Sequence, residues 1–190
     1  MVKLNLGCGK RDFGSDWVHI DGGDFPHLHS HNIEKLDYRD KSVDLIYASH
    51  VIEYFDRREI LSVLKEWKRV LKIDGVLRIA VPDFYQIAKL YLVDSYDLKK
   101  FLGPLYGKIS MEIVHMNDNR FKESKIVYHK TVYDFDNLKE LLEEVGFRNV
   151  NKYDWRETEH SEFDDHSQAY IPHMDKENGT LISLNVECLK

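Results

Sequence analysis

The chain is poor in the residues that would tie it to a secreted, membrane or nucleic-acid setting. Its 190 residues hold two cysteines, Cys8 and Cys188. Two distant thiols make no disulfide framework, so a reducing, cytoplasmic location is the simpler expectation. No apolar run approaches the roughly 18 residues of a membrane span. A strand-like run already begins at Val2, which argues against a signal peptide. Excess positive charge is missing as well: 27 Lys and Arg stand against 33 Asp and Glu, a net charge of −6. That offers no general attraction to a phosphate backbone and disfavours nucleic acid as the main partner. Repeats and low-complexity tracts are absent. What is there, 43% hydrophobic and 12% aromatic, is the composition of a globular protein. The length suits a single domain spanning 1–190.

The most informative stretch is Val2-Lys3-Leu4-Asn5-Leu6-Gly7-Cys8-Gly9, followed by Val18-His19-Ile20-Asp21. A short apolar run enters a Gly-x-Gly turn, and a second apolar run ends on an acid. Glycines let a backbone bend sharply and come close to a ligand, and the acid can accept both hydroxyls of a ribose. A dinucleotide fingerprint would place a third glycine near position 12, where Asp12 stands. It would also leave about 20 residues before the acid, enough for a full helix whose N-terminus holds a pyrophosphate. Here Lys10–Asp16 leaves room for a turn or two. A nucleoside without phosphates is therefore expected, and S-adenosylmethionine fits.

Strand and helix signals alternate, which predicts an open parallel sheet. Strands are expected at Val2–Leu6, Trp17–Ile20, near His31–Ile33, Val43–Ala48, Val76–Val81, Arg148–Tyr153 and Thr180–Cys188. The clearest helix is Arg57–Leu71, with Ile60, Leu64, Trp67 and Leu71 at helical spacing, an Asp56/Glu59 capping box and Gly75 just past its end. Asp134–Val145 is a second helix stopped by Gly146, and Phe84–Leu92 a third. Residues 93–130 form an insertion rich in Lys, aromatics and glycine, including Arg120, that should hang over the carboxyl edge of the sheet as a substrate cap. Residues 156–178 are an acidic loop whose length points to function or mobility.

Leu4–Lys10, Ile20-Asp21, Ser42–Glu53, Trp67–Gly75, Val81-Pro82-Asp83 and Leu141–Phe147 together resemble class I S-adenosylmethionine-dependent methyltransferases. The likeness is greatest to small members with a shortened first helix, a glycan and small-molecule type. Three departures stand out: Asn5 in place of the usual acid, Ile73-Asp74-Gly75 in place of a Pro-Gly-Gly turn, and Tyr54 where His is common. The resemblance implies a Rossmann-like, open, mostly parallel α/β sheet of seven strands, the last antiparallel, with helices on both faces. It implies S-adenosylmethionine as cofactor and S-adenosylhomocysteine as product. Leu6, Gly7, Cys8, Gly9, Asp21, Asn32, Ile33, Ser49 and His50 would then bind it, with Asn32 and Ile33 beside the adenine and Ser49 and His50 beside the methionine moiety. The N-terminal helix that often lids the cofactor is missing, so the chain can equally be one domain of a longer polypeptide.

Methyl transfer needs alignment above all, and a hydroxyl acceptor needs a base. Asp83, just after the rigid Val81-Pro82, is the first candidate, although a helix cap at Phe84 serves it equally well. His50 and His129 are further catalytic candidates, with His115 weaker. Cys8 is expected as a small residue in a tight turn, not a nucleophile. His27, His29 and His31 lack the Cys or acid of a zinc motif and are expected to form a solvated turn. The leading expectation is O-methylation of a small hydroxylated acceptor, with a sugar or glycan as its first class. A non-catalytic cofactor-binding partner or regulatory module, and a protein methyltransferase, stay open beside it. Ser49-His50-Val51-Ile52 stands where nucleic-acid amino methylation would bring an Asn/Asp-Pro-Pro-aromatic motif.

Overall fold

A computed structural model of the chain describes residues 1–115 and 121–190; Arg120 lies outside the described residues. Among the described residues the central sheet has six strands, in the order β2-β1-β3-β4-β10-β7. They are β1 (Lys3–Leu6), β2 (Val18–Ile20), β3 (Val43–Ser49), β4 (Leu71–Pro82), β7 (Arg148–Lys152) and β10 (Ser183–Leu189). β1 to β4 are mutually parallel, and β10 runs antiparallel between β4 and β7. The antiparallel last strand is as expected, but the count is six, not seven. The expected strand at His31–Ile33 shrinks to one parallel bridge, Ile20 to Ser30. Its polar residues turn back instead: Asn32 Oδ1 accepts from the amides of Glu34 and Lys35, both at 2.9 Å. Such a side-chain turn competes directly with a strand ladder.

Two helices, α1 (Glu59–Val70) and α4 (Phe135–Val145), cover one face. Their buried Ile60, Leu64, Trp67, Leu138 and Leu142 pack on Leu4, Leu6, Ile46, Leu77 and Ile79. Alternation sends Leu45 and Tyr47 of β3 to the opposite face, where Phe13, Trp17 and Phe163 meet them. There the cover comes from aromatic loops and the 3-10 turns Trp155–Glu157 and His166–Gln168.

The local signals hold at most boundaries. Asp56 Oδ1 accepts from Glu59 N at 2.9 Å while Glu59 Oε2 accepts from Asp56 N at 2.9 Å, a reciprocal box. Gly146, at φ 91°, closes α4. α1 ends one residue before the expected Leu71, however, because Leu71 passes straight into β4. Gly75 therefore lies within a strand rather than in a helix stop. The register against β3 jumps between the Val43–Leu71 and Leu45–Val76 pairs, so Lys72–Gly75 bulge outward, with Asp74 at φ 62°.

α2 (Phe84–Leu92) follows β4 directly. Beyond it lie α3 (Leu102–Tyr106) and a hairpin of β5 (Ile109–His115) and β6 (Phe121–Val127). The expected strand Thr180–Cys188 is broken at Ile182: β9 (Thr180–Leu181) pairs with β8 (Tyr170–Ile171), and β10 starts at Ser183.

Candidate active site

Leu6, Ile20, Ser49 and Pro82 end four parallel strands on one edge of the sheet, and Ser183 joins them because β10 is antiparallel and pairs Ser183 with Pro82. Turns leaving that edge carry the candidate residues. Gly7 N donates to Ile20 O at 2.7 Å, which bends the first turn over β2. Gly7 (φ 67°) and Gly9 (φ 56°) both use the left-handed region that a glycine enters without cost. A β-carbon on Gly7 would strike Val51 Cγ2 at 2.3 Å, whereas one on Gly9 would meet no atom within 4 Å. The first glycine is thus required by packing, and the second opens onto free space.

Asp21 is buried at 7% exposure and holds this turn from below. Its Oδ2 accepts from Gly9 N at 2.8 Å and its Oδ1 from Gly23 N at 2.7 Å. Each carboxylate oxygen retains a further lone pair for a ribose hydroxyl. Asp21 N donates to Ser30 O at 3.3 Å, which brings the segment leading to Asn32 beside it. Asn32 spends its carbonyl oxygen on its own turn, and the Ile33 carbonyl accepts from Trp67 Nε1 at 2.8 Å.

A narrow cleft is lined by Asn5, Gly7, Cys8, Arg11, Phe13, Ser49 and Asp165. Ser49 Oγ is buried there without a hydrogen-bond partner among the described residues. Across the cleft Arg11 Nε donates to Asp164 O at 3.0 Å. The acidic loop thus packs back onto the glycine turn. Its His160, Asp165, Ser167 and Gln168 are all buried, contrary to a mobile excursion. The Cys8 thiol is also buried, and its pKa is pushed up to about 12, first by burial and then by the Asp21 charge. It remains a thiol at neutral pH, in keeping with a tight-turn residue.

The three turn histidines are partly ordered by contacts. His29 Nδ1 accepts from His19 N at 3.1 Å, His31 Nδ1 lies 3.0 Å from Gly23 O, and His27 Nε2 lies 3.7 Å from Cys8 Sγ. Among the described residues no group of three or more His, Cys, Asp or Glu could hold a metal ion.

His50 follows β3 at φ 54°, a strained conformation for a residue with a β-carbon, held by His50 N donating to Ala80 O at 2.8 Å. Its Nδ1 is 3.5 Å from Glu53 Oε1 and its Nε2 is 3.5 Å from Ser183 Oγ. His129 reaches the same carboxyl, with Nε2 3.7 Å from Glu53 Oε1 and Nδ1 3.0 Å from Pro104 O. Tyr54, the departure noted in the sequence, stands edge-on to His129 at 4.7 Å and donates to Gly107 O at 2.9 Å. Burial lowers the pKa of both His50 and His129, so both rings stay neutral at physiological pH.

Asp83 caps α2, its Oδ1 accepting from Gln86 N at 3.2 Å. Burial raises its carboxyl above the usual range, opposed by that amide. The structure thus joins His50 and His129 around one acid, while the contacts of Asp83 run to α2 and Tyr133. The side chain of His115, which ends β5, lies outside the description. The hairpin reaches the β2 end of the edge: Lys122 pairs with Asp24, and Met111 Cε lies 3.8 Å from where a Gly22 β-carbon would sit.

Sequence reading named no role for Glu53, Ser183, Asn185, Arg11 or Asp165. Glu53 had a signal: an acid three residues after His50 inside the apolar run Val51-Ile52-Glu53-Tyr54. The others arrive from sequence distances of 133 residues or more, or through the packing of the acidic loop.

Residues 4–79 match the sequence family described as Methyltransferase domain. No curated relative matches the chain. A S-adenosylmethionine-dependent methyltransferase from Archaeoglobus fulgidus superposes with a TM-score of 0.58 at 16% identity, covering 99% of this chain and 85% of that one. The 1,6-didemethyltoxoflavin-N1-methyltransferase of Burkholderia thailandensis, solved with S-adenosylhomocysteine, gives 0.54 at 14%, covering 100% and 70%. A putative methyltransferase of Haloferax volcanii, solved with its Trm112 activator, gives 0.53 at 13%, covering 99% and 81%. Residues 4–79 are thus similar to the methyltransferase-domain family, and across its length the chain has the fold seen in S-adenosylmethionine-dependent methyltransferases.

Proposed function

We propose that this protein is a S-adenosylmethionine-dependent methyltransferase acting on a small hydroxylated acceptor, with a sugar or glycan as the first class to try. The observation that carries the cofactor reading is the Gly7–Gly9 turn held over Asp21, open at Gly9 and facing the unpartnered Ser49 Oγ. Those groups suit a nucleoside: acid lone pairs for ribose hydroxyls, a glycine surface for close approach, and a hydroxyl for a polar tail. The cofactor, when bound, supplies a methyl group already activated by its sulfonium. Asp21 and the glycine turn hold the nucleoside, and Ile33, packed on the core, offers an apolar wall for its base. The cleft holds only about 10 Å³, far below the about 300–1,000 Å³ usual for small-molecule sites. Binding should therefore part the exposed Arg11–Asp164 contact.

A hydroxyl acceptor is supported by the neutral imidazole of His50 at the sheet edge, because a hydroxyl must lose a proton and an imidazole with a free nitrogen can take it. Residues 93–130 serve as the substrate cap of the single domain: Gly107 O accepts from Tyr54 Oη, and the cap's own His129 reaches Glu53. The two free, widely separated cysteines suit the cytoplasm. No helix among the described residues is long and apolar enough to cross a membrane.

The test is transfer of labelled methyl from S-adenosylmethionine to panels of sugars, other alcohols, amines and peptides. Labelled product from the hydroxylated panels alone is the expected result. Labelling confined to amines or peptides would contradict the acceptor class and leave the cofactor reading standing.

A further inference from the structure

Glu53 lies on the 3-10 turn Ile52–Tyr54, 1% exposed, and neither of its carboxyl oxygens has a hydrogen-bond partner among the described residues. An orphaned buried carboxyl is costly, so its surroundings must decide its protonation. The hydrogen bonds around it can be traced from groups whose direction is fixed. Ser167 O can only accept, so Asn185 presents Nδ2 to it, at 2.9 Å, and turns Oδ1 toward Ser183. Ser183 Oγ then donates to Asn185 Oδ1 at 3.0 Å and offers a lone pair to His50 Nε2 at 3.5 Å. His50 accordingly carries its proton on Nε2 and shows a bare Nδ1 to Glu53. On the other side Pro104 O fixes the proton of His129 on Nδ1, which leaves a bare Nε2 facing the same Glu53 oxygen. Two lone pairs thus converge on one carboxyl oxygen, an arrangement that suits a protonated acid and repels an anion.

We infer that Glu53 is a positioning residue that sets the tautomer of His50, so that His50 Nε2 accepts the methyl acceptor's proton only after Glu53 has lost its own. While Glu53 is protonated, Nε2 is a donor and cannot act as a base. When that proton leaves to solvent, the anion favours a donor at Nδ1; the His50 proton moves from Nε2 to Nδ1, and Nε2 becomes a lone pair. His129 cannot follow, because Pro104 holds its proton on the far nitrogen. The acceptor's O–H proton then goes to Nε2, its oxygen bonds the methyl carbon, and the broken C–S bond leaves its electron pair on sulfur. The groups facing the pair are His129, Tyr54 and Tyr133 around Glu53, and His166 and Arg11 beside His50. Arg57 lies near Tyr133, and Lys130 gives Glu53 only its backbone amide, its Nζ being paired with Glu59. Burial pushes the Glu53 pKa up to about 8, which places the switch in an accessible range.

This inference rests on the methyltransferase reading but is tested apart from it. Histidine-selective ¹⁵N NMR of the whole chain follows the ring tautomers from below to above pH 8, with His50 assigned by its loss in His50→Gln. The expected result is Nε2–H at low pH passing to Nδ1–H at high pH in wild type, with His129 unchanged. Glu53→Gln should hold His50 as Nε2–H throughout, because the Gln amide can donate to Nδ1. A His50 ring that keeps one tautomer across the range, or that switches equally in Glu53→Gln, would overturn the assignment. Should Glu53→Gln not fold, the wild-type titration decides alone. S-adenosylhomocysteine binding is measured on the same samples: a tautomer switch without binding contradicts the methyltransferase reading, and binding without a switch contradicts the role of Glu53.

Discussion

The carboxylate of Asp21 and the amide of Gly9 meet at 2.8 Å, so the acid that ends β2 also fixes the glycine turn that follows β1. Its other oxygen holds Gly23 N at 2.7 Å. Asp21→Ala leaves two backbone donors without partners and should destabilise the fold by on the order of 2–3 kcal/mol. Asp21→Asn keeps one acceptor oxygen and should cost less. Urea denaturation of the three proteins checks the order; equal stability of Asp21→Ala and wild type would mean that the two bonds do not hold the turn.

Gly7 is bound to its conformation twice, by φ 67° and by Val51. Gly7→Ala should cost more than the roughly 1 kcal/mol expected for a left-handed alanine alone. Val51→Ala in the same chain should recover part of the loss by removing the Cγ atoms. A double-mutant cycle by chemical denaturation reads the coupling. Strict additivity would show that the contact with Val51 is not what excludes a side chain.

Stability should pass through a maximum with pH. The folded pKa values of His50, His129 and His166 lie below the ordinary 6.5, each lowered first by burial, and that of His160 falls to about 4 for the same reason. The unfolded chain therefore binds more protons as pH falls below 6.5, and stability drops on the acid side. Glu53 acts in the opposite sense. Its folded pKa of about 8 exceeds the ordinary 4.5, so its contribution is complete below 4.5 and is lost as pH rises toward 8. Glu53→Gln should remove the decline that Glu53 causes between pH 4.5 and about 8, as thermal melts across that range would show. An unchanged slope between pH 4.5 and about 8 in that variant would contradict the buried, protonated acid.

How far the chain could be read in advance depended on sequence distance. α2 and α4 were legible because Asp83, Asp134 and Gly146 mark their ends locally, and β1 and β2 because Gly7 and Asp21 follow them at once. The Leu71–Gly75 passage misled: a helical period running to Leu71 and a glycine at 75 describe a helix stop, but pairing with β3 draws Leu71 into a strand. The expected strand at His31–Ile33 failed because Asn32 satisfies its neighbours' amides by itself. In the site, Asp83 stood out by position, and it is a helix cap. Glu53 gains meaning only when His129 and Ser183 are folded beside His50, and no local pattern carries that.

The central claim is that the Gly7–Gly9 turn and Asp21 form a nucleoside site for S-adenosylmethionine. Calorimetric titration with S-adenosylmethionine and S-adenosylhomocysteine, on wild type and on folded Asp21→Ala, tests it most directly. Saturable one-to-one binding of both ligands to wild type, lost or weakened at least about tenfold in the variant, is the predicted result, since hydrogen bonds to a charged group contribute about 1.5–3 kcal/mol. Well-folded wild-type protein that binds neither ligand would contradict it.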